Sequence, residues 1–327
     1  MRRLFSVISV LFVTGALLAA CATPAPAPTA PPAPSPVTVM ETVVVTAMPT
    51  EAPTAAPAPT PVASIDPASL VQKGRLSICS DFPYPPMEYY DDSGNPTGAD
   101  VDLGNELASR LGLEPQWVNS VFDTIIAALN GGKCDIIMAD MNVTAERNKQ
   151  VSFIPYFQAG QSMLAAKGNP DNINTTTDVC GQTVAAESGT TEVDYLQGSA
   201  DYASSGGLPK ECTDAGKQPP TVVITQKDSD ALQQLQANKV VVYFADTPVA
   251  AYYVTQHPDQ FQLVGQVIEP IKVGIALTCG GAADCTDAPL TPLGDAVQTA
   301  LQSMMADGTY TSILTKWNLQ DGAITAP

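Results

Sequence analysis

The chain predicts an α/β protein built as two units in series, and two observations carry that class. Short apolar runs of strand length alternate with stretches of helical period, which calls for parallel strands joined by crossover helices. The alternation begins afresh after Gln158-Ala-Gly160, with no repeat of the sequence itself.

In the first unit, Arg75-Leu-Ser-Ile-Cys-Ser80 is a strand. A helix follows from Ala99 to Leu111, with Leu103, Leu107 and Leu111 stacked on one face. Pro115-Gln-Trp-Val118 is the second strand, and Phe122 to Asn130 a helix stopped by Gly131-Gly132. Cys134-Asp-Ile-Ile-Met-Ala-Asp140 is a short buried strand, after which Thr144 caps a short helix. Arg147 falls in the first turn of that helix, where the macrodipole disfavours a cation. It is comfortable there facing an anion, because its guanidinium fork can grip a carboxylate bidentately. In the second unit the strands are Thr183–Glu187, Thr221–Thr225 and Val240–Asp246. Ser188-Gly-Thr-Thr191 opens a helix, a second passes through Leu232 and Leu235, and a third runs to about Gln256. Glu269 to Leu277 is extended, and helices from about Leu293 to Met305 and Tyr310 to Trp317 close the chain around Asp307-Gly308. One apolar strand thus leads into Arg147 and another ends in the carboxylate of Asp246: opposite charges suited to a zwitterion.

Arg2 and Arg3 precede an apolar segment, Leu4 to Ala20, too short for a stable span and flanked like a signal peptide (residues 1–20). Leu18-Ala-Ala-Cys21 resembles the bacterial lipobox, which implies lipid modification of Cys21 and attachment to a membrane; an ordinary signal peptide is the plainer alternative. Residues 21–64 are dominated by Pro, Ala and Thr, a composition that favours extended polyproline II over a packed core. We expect this stretch to be a tether. The formal charge of -18 becomes -20 once Arg2 and Arg3 leave with the signal. A surface so acidic repels phosphate backbones, which argues against nucleic acid as a partner.

Apart from Cys21 six cysteines remain, and export makes disulfides plausible. Cys180 with Cys212 and Cys279 with Cys285 are the expected pairs. Cys79 sits near the end of its strand and Cys134 at the start of a parallel neighbour. That offset argues for Cα atoms beyond the roughly 7 Å a disulfide spans and so for buried thiols, but the residues leave open whether the two pair. With a single histidine, His257, no transition-metal site and no cofactor are expected.

Several stretches carry a family resemblance. They are Ser80-Asp-Phe-Pro-Tyr-Pro-Pro-Met-Glu88, Gly98-Ala-Asp-Val-Asp-Leu103, Phe122-Asp-Thr-Ile-Ile-Ala-Ala-Leu129, Asn142-Val-Thr-Ala-Glu-Arg147 and Val151-Ser-Phe-Ile-Pro-Tyr156. Further on are Ser188-Gly-Thr-Thr191, Phe244-Ala-Asp-Thr-Pro248 and Asp307-Gly-Thr-Tyr310 with Lys316-Trp317. In this order they resemble the extracytoplasmic solute-binding proteins of ABC importers, specifically the polar amino-acid binding family. The resemblance implies a two-lobed periplasmic-binding-protein-like fold with two mainly parallel sheets, flanking helices and a two-segment hinge. Residues 65–158 and 272–327 would form one lobe and 159–271 the other, with crossovers near Tyr156 to Gln161 and Glu269 to Val273.

Ligands of open α/β sheets sit beyond the carboxyl ends of strands, where the candidate residues fall. By the resemblance, Arg147 holds an α-carboxylate with Asn142 beside it, and Asp140 offers its backbone carbonyl to the ammonium. Asp246 takes the ammonium from the opposite lobe, while Thr190 and Thr191 present a helix start to the carboxylate. Tyr84 and Phe122 flank the ligand side chain, and Asp81 and Glu187 bear on its polarity. Two acids facing the cleft would favour a cationic or amide side chain. Asp140 departs from the pattern, where a small residue is usual. Each residue has a plainer reading: a surface helix arginine for Arg147, a helix cap for Asp246, core packing for the aromatics, exposed acids for Glu187 and Asp140. Asn142-Val-Thr144 also matches a glycosylation pattern, which is set aside as a chance occurrence.

The function expected is a monomeric, membrane-tethered subunit that captures a free amino acid, polar or basic, and hands it to ABC permease subunits. An enzyme on the same fold, of the cyclohexadienyl or arogenate dehydratase kind, is the alternative. Glu187 is its one candidate acid, with no nucleophile-base pair in support. A ligand-sensing module is a third reading. The residues do not name the amino acid.

Overall fold

The computed structural model describes residues 62–63 and 65–327. The expected signal segment, Cys21 and nearly all of the tether lie outside the described residues. Val62 already pairs with the folded part, its N–H donating to Arg110 O at 2.9 Å.

Ten strands and nine helices make up the described chain in this order. First come β1 (Arg75–Ser80), β2 (Tyr89–Tyr90), β3 (Pro96–Thr97), α1 (Ala99–Arg110), β4 (Glu114–Asn119), α2 (Ile125–Asn130), β5 (Ile136–Ile137) and α3 (Ala145–Asn148). Then follow β6 (Ser152–Ala166), β7 (Thr183–Glu187), α4 (Thr191–Gln197), α5 (Gly207–Asp214), β8 (Thr221–Thr225), α6 (Asp228–Gln236), β9 (Val242–Asp246) and α7 (Thr247–Gln256). Last are β10 (Phe261–Leu277), α8 (Pro292–Asp307) and α9 (Thr309–Lys316).

The α/β class holds, and its two parallel clusters, β4-β1-β5 and β9-β7-β8, are present. They are joined into one eight-stranded sheet by β6 and β10, which are long, antiparallel and paired from Ser152↔Leu277 to Ala166↔Phe261. A single apolar run of that length did not stand out in the sequence because Pro155, Gly160 and Pro270 interrupt it. The central strand β1 is buried at every position after Arg75, as a parallel strand covered on both faces must be. Four apolar clusters fill the two lobes. In the first, α1, α8 and α9 pack one face of the sheet through Leu103, Leu107, Leu301 and Leu314, while Ile125, Leu129 and Ile137 fill the other. In the second, one core gathers Met163, Val184 and Phe244, and the other Leu164, Tyr243 and Val249. Gly98 starts α1 at φ 132°, and a Cβ there would lie 2.1 Å from Met87 O, so only glycine fits.

Disulfides join Cys180 to Cys212, Cys279 to Cys285 and Cys79 to Cys134. The last answers the pairing the sequence left open, against the reading as two buried thiols. β5 is only two residues long, and Cys134 precedes it in the turn leaving α2, so it does not continue the parallel register. The chain instead enters over the face of β1, where Asp135 N–H bonds Ser77 O at 2.8 Å, and the Cα atoms of Cys79 and Cys134 come to 5.7 Å.

Candidate functional site

Strand order gathers the site. Because β1 and β5 are parallel neighbours, Asp81 and the Asp140–Asn142 turn emerge side by side at their carboxyl ends. β7 and β9 are likewise parallel neighbours, so Glu187 and Asp246 emerge together in the second lobe. The two sets face each other across a cleft lined by all ten sequence-predicted ligand residues: Asp81, Tyr84, Phe122, Asp140, Asn142, Arg147, Glu187, Thr190, Thr191 and Asp246. Glu88, Ala139 and Glu192 complete the lining. The lobes are closed, leaving a cavity of about 10 Å³, room for one water.

The plainer readings of several residues fall away. Arg147 is buried; it does not pair with Glu146, which Lys149 takes at 2.6 Å. Thr144 caps α3, its Oγ1 accepting from Arg147 N–H at 3.2 Å. The guanidinium donates to Asn142 O at 2.8 Å and to Gly189 O at 2.9 Å, and lies 5.4 Å from the centre of the Phe122 ring. That stacking gives Phe122 a second task, holding the arginine plane. Asp246 stands at the N-cap of α7, yet its side chain makes no capping bond. It turns into the cleft instead, where Tyr84 O–H donates to Oδ2 at 3.0 Å and Asn142 Nδ2 reaches Oδ1 at 3.4 Å. Thr191 Oγ1 accepts from Gln161 Nε2 at 2.9 Å and Asn142 Nδ2 at 3.2 Å. Thr190 Oγ1 donates to Glu187 O at 2.7 Å. Glu187 and Asp140 are buried, 4% and 2% exposed, so neither is the outward acid of the plainer reading. Asp140 adopts φ 43°, and its N–H is held by Asp100 Oδ2 at 2.9 Å.

Sequence reasoning missed four participants. Lys227 of the second lobe forms an ion pair with Asp81 of the first, which also accepts from Phe122 N–H at 3.0 Å. Glu192, in the first turn of α4, looks in sequence like an acid placed to suit the helix dipole. Glu88 falls within the resemblance, which assigns it no role, and Gln161 lies on β6 opposite Asp246. Only the strong acidity of the chain hinted at such a concentration of carboxylates.

The electrostatics are unusual. Burial pushes Glu187 up to about 9, with the Asp228 charge adding to it. Burial and then the Asp246 charge push Glu192 up to about 8. Asp246 rises to about 6, burial outweighing the bonds from Tyr84 and Asn142 and the Arg147 charge. Burial also drives Glu88 and Asp140 well above the usual carboxylate range. Raised in this way, Glu187 and Glu192 keep their protons at neutral pH and ionise only where a nearby positive charge offsets the burial. Among the described residues no group of three or more His, Cys, Asp or Glu is placed to hold a metal ion, and no helix is long and apolar enough to cross a membrane.

Comparisons with known proteins agree with this architecture. The Escherichia coli (strain K12) "ABC transporter arginine-binding protein 1" is 29% identical over 237 residues, 72% of this chain and 86% of that protein. A solved ancestral arginine-binding protein bound to arginine is 32% identical with a TM-score of 0.64, covering 75% of this chain and 98% of that one. An ancestral amino acid-binding protein described as a precursor of cyclohexadienyl dehydratase is 30% identical with a TM-score of 0.61, covering 75% and 95%. The family model for bacterial extracellular solute-binding proteins, family 3, matches residues 76–320, and the chain belongs to that family.

Proposed function

We propose that this protein captures a polar or basic amino acid outside the cytoplasm and delivers it to an ABC permease. The carrying observation is the pairing across one cleft of a buried arginine, Arg147, with a buried uncapped carboxylate, Asp246, on opposite lobes. Arg147 holds the α-carboxylate with Asn142, and Asp246 receives the ammonium together with the carbonyl of Asp140. Thr190 and Thr191 order the second-lobe wall, Tyr84 and Phe122 flank the ligand side chain, and Asp81 and Glu187 set its polarity. Because these groups come from both lobes, the ligand binds the closed state better than the open one, and that differential affinity drives closure. Residues 65–158 with 272–327 act as one rigid lobe and 159–271 as the other. In support, the core around Leu76 draws on residues 76–159 and 273–319, and the cores around Met163 and Leu164 draw on 163–264 plus Tyr84. Lipid modification of Cys21, the tether beyond it and a monomeric state complete the proposal.

Thermal unfolding of the protein against the free amino acids tests it, with Arg147→Ala in parallel. A ligand at a hundred times its Kd adds about 2.7 kcal/mol. A stabilising hit abolished by the substitution is expected. If none of the amino acids stabilises a well-folded sample, the assignment fails. A second reading, a dehydratase, draws on the likeness to the dehydratase precursor and on Glu187, whose raised pKa of about 9 keeps it a proton donor at neutral pH. Turnover of prephenate or arogenate would establish it, and we place binding first because no nucleophile-base pair accompanies Glu187 among the described cleft residues.

A further inference from the structure

Glu88 and Asp100 belong to landmark stretches of the sequence, and the cleft contacts leave their use unexplained. Asp100 is 0% exposed and does not line the cleft, yet its carboxylate gathers three partners. Oδ1 accepts from Tyr156 O–H at 2.6 Å and Oδ2 from Asp140 N–H at 2.9 Å. Glu88, also 0% exposed, bonds it as well. A bond between two carboxyl groups needs a proton on one of them. Glu88 carries it, because burial and then the charges of Asp100, Asp140, Glu187 and Asp246 hold this acid well above the usual carboxylate range. Burial lifts Asp100 only to about 6, since the three bonds oppose it, and the first turn of α1 favours an anion there. The two acids meet because Ala99 N–H bonds Pro86 O and Asp100 N–H bonds Met87 O, each at 2.9 Å, which lays Glu88 beside the start of α1.

What this carboxylate does is seen in the segment from β5 to α3. Met138 N–H bonds Cys79 O on β1 at 3.0 Å. Further on, Gly274 N–H bonds Met141 O at 3.0 Å and Val143 N–H bonds Lys272 O at 2.7 Å, both partners lying on β10. Between these anchors Asp140 stands at φ 43°, a left-handed conformation that a non-glycine residue keeps only where its surroundings fix it. There the N–H is held by a side chain, Asp100, and not by a strand. We infer that Asp100 is a positioning residue for solute capture, holding the Asp140 N–H so that the turn presents the Asp140 carbonyl and Asn142 to the cleft. The inference rests on the amino-acid reading above, in which that carbonyl meets the ammonium. Asp100 acts through Asp140 and not on the solute itself. The proton on Glu88 is part of the device, because it supplies a third donor to a buried carboxylate that would otherwise be short of partners. Tyr156 is itself anchored, its carbonyl accepting from Tyr310 O–H at 2.8 Å, so the acceptor offered to Asp140 is braced from α1, from β6 and from the Glu88 segment.

Two substitutions of similar bulk separate the acceptor from the packing. Asp100→Asn keeps an oxygen for the Asp140 N–H, and Asp100→Leu removes it. The first readout is hydrogen exchange of the Asp140 amide, followed by NMR in the protein alone. The second is titration calorimetry with arginine, lysine, histidine and glutamine. A buried N–H left without an acceptor opens more easily, so Asp100→Leu is expected to speed exchange at Asp140 and to weaken binding, each by about tenfold. Asp100→Asn is expected to recover most of both. Where Asp100→Leu does not fold, Asp100→Ser takes its place, being too short to reach Asp140 and well suited to the start of a helix. Unchanged exchange at Asp140 in these loss variants would overturn the inference. So would unchanged affinity despite faster exchange, or an Asp100→Asn protein as impaired as Asp100→Leu, which is the mark of packing alone. No binding of the four amino acids by the unsubstituted protein would bring down the amino-acid reading, and the role in capture with it, while Asp140 exchange would still report whether Asp100 holds the turn.

Discussion

The Cys79–Cys134 disulfide closes a loop of sequence separation 55 between the strands that carry Asp81 and Asp140. Replacing both cysteines by alanine frees the unfolded chain from that closure. In the chain-entropy account the loss is about 4.2 kcal/mol, against about 2.2 kcal/mol for Cys279–Cys285, whose separation is 6. The double variants Cys79→Ala/Cys134→Ala and Cys279→Ala/Cys285→Ala, compared by equilibrium urea unfolding, should therefore differ by about 2 kcal/mol, with the first pair the more costly. The comparison within one protein cancels much of the uncertainty in the denatured state, because both variants lose one crosslink from the same chain. A functional difference accompanies it. The first pair ties the carboxyl end of β1, beside Asp81, to the turn before β5, so its loss is also expected to weaken ligand binding, whereas the second lies in a loop whose residues do not line the cleft. An equal or reversed order of stabilities would refute the entropic reasoning, and unchanged affinity in the first variant would show that the strand ends hold their positions without the bond.

Two further outcomes are expected. Gly189 has φ +80°, and a Cβ there would lie 2.6 Å from the Cα of Asp123 on the facing lobe. Gly189→Ala should lower affinity at least tenfold and keep the ligand-saturated protein expanded in small-angle scattering; the positive φ itself costs about 1 kcal/mol, a Tm drop of about 2–4 °C. A normal Kd would show that the closed lobes do not need this approach. Glu187 and Glu192 have folded pKa values of about 9 and about 8 against an ordinary 4.5, so between those limits the folded protein binds protons that the unfolded chain has released. Stability therefore falls as pH rises from about 5 to 9. Thermal scans of ligand-free protein should show this slope, flattened in Glu192→Gln; a Tm that rises over the range would contradict it.

The sequence made the strands of the two parallel clusters legible because each is a short apolar run bounded by polar turns. Thr183–Glu187 and Thr221–Thr225 lie where they were read. Arg147 was legible through the family resemblance and not through the helix dipole: α3 is a single turn, and Arg147 stands in its last turn, where a cation is not out of place. What stayed hidden depends on which residues meet across the cleft. Lys227 is an ordinary charge at the start of α6 until Asp81 is found opposite it, and Glu192 is an ordinary first-turn acid until Asp246 and Asp140 appear beside it. The pairing of Cys79 with Cys134 depended on how far β5 extends towards its amino end, and element ends are where pattern reading is weakest. Asp246 shows the opposite case, a residue whose local signal for capping was strong and whose side chain is used elsewhere.

The two long strands β6 and β10 have a mechanical consequence. Where they pass between the lobes they remain paired to each other, Gln158 with Lys272 and Ala159 with Ile271, so they form a ribbon and not two separate cords. Its regular pairing lapses between Ile268 and Ile271, where residues 269–270 stand opposite Gly160, and a Cβ on Gly160 would meet Val267 Cγ1 at 2.3 Å. A bulge bends a strand and raises its local twist, and this ribbon is irregular at three places, between Val264 and Ile268, Ile268 and Ile271, and Val273 and Gly274. On the proposed two-lobed reading, part of the work of closing would fall on ribbon residues that do not line the cleft. Affinity can then be tuned from the spine of the molecule, by changing the work of closing, while every contact in the cleft stays the same.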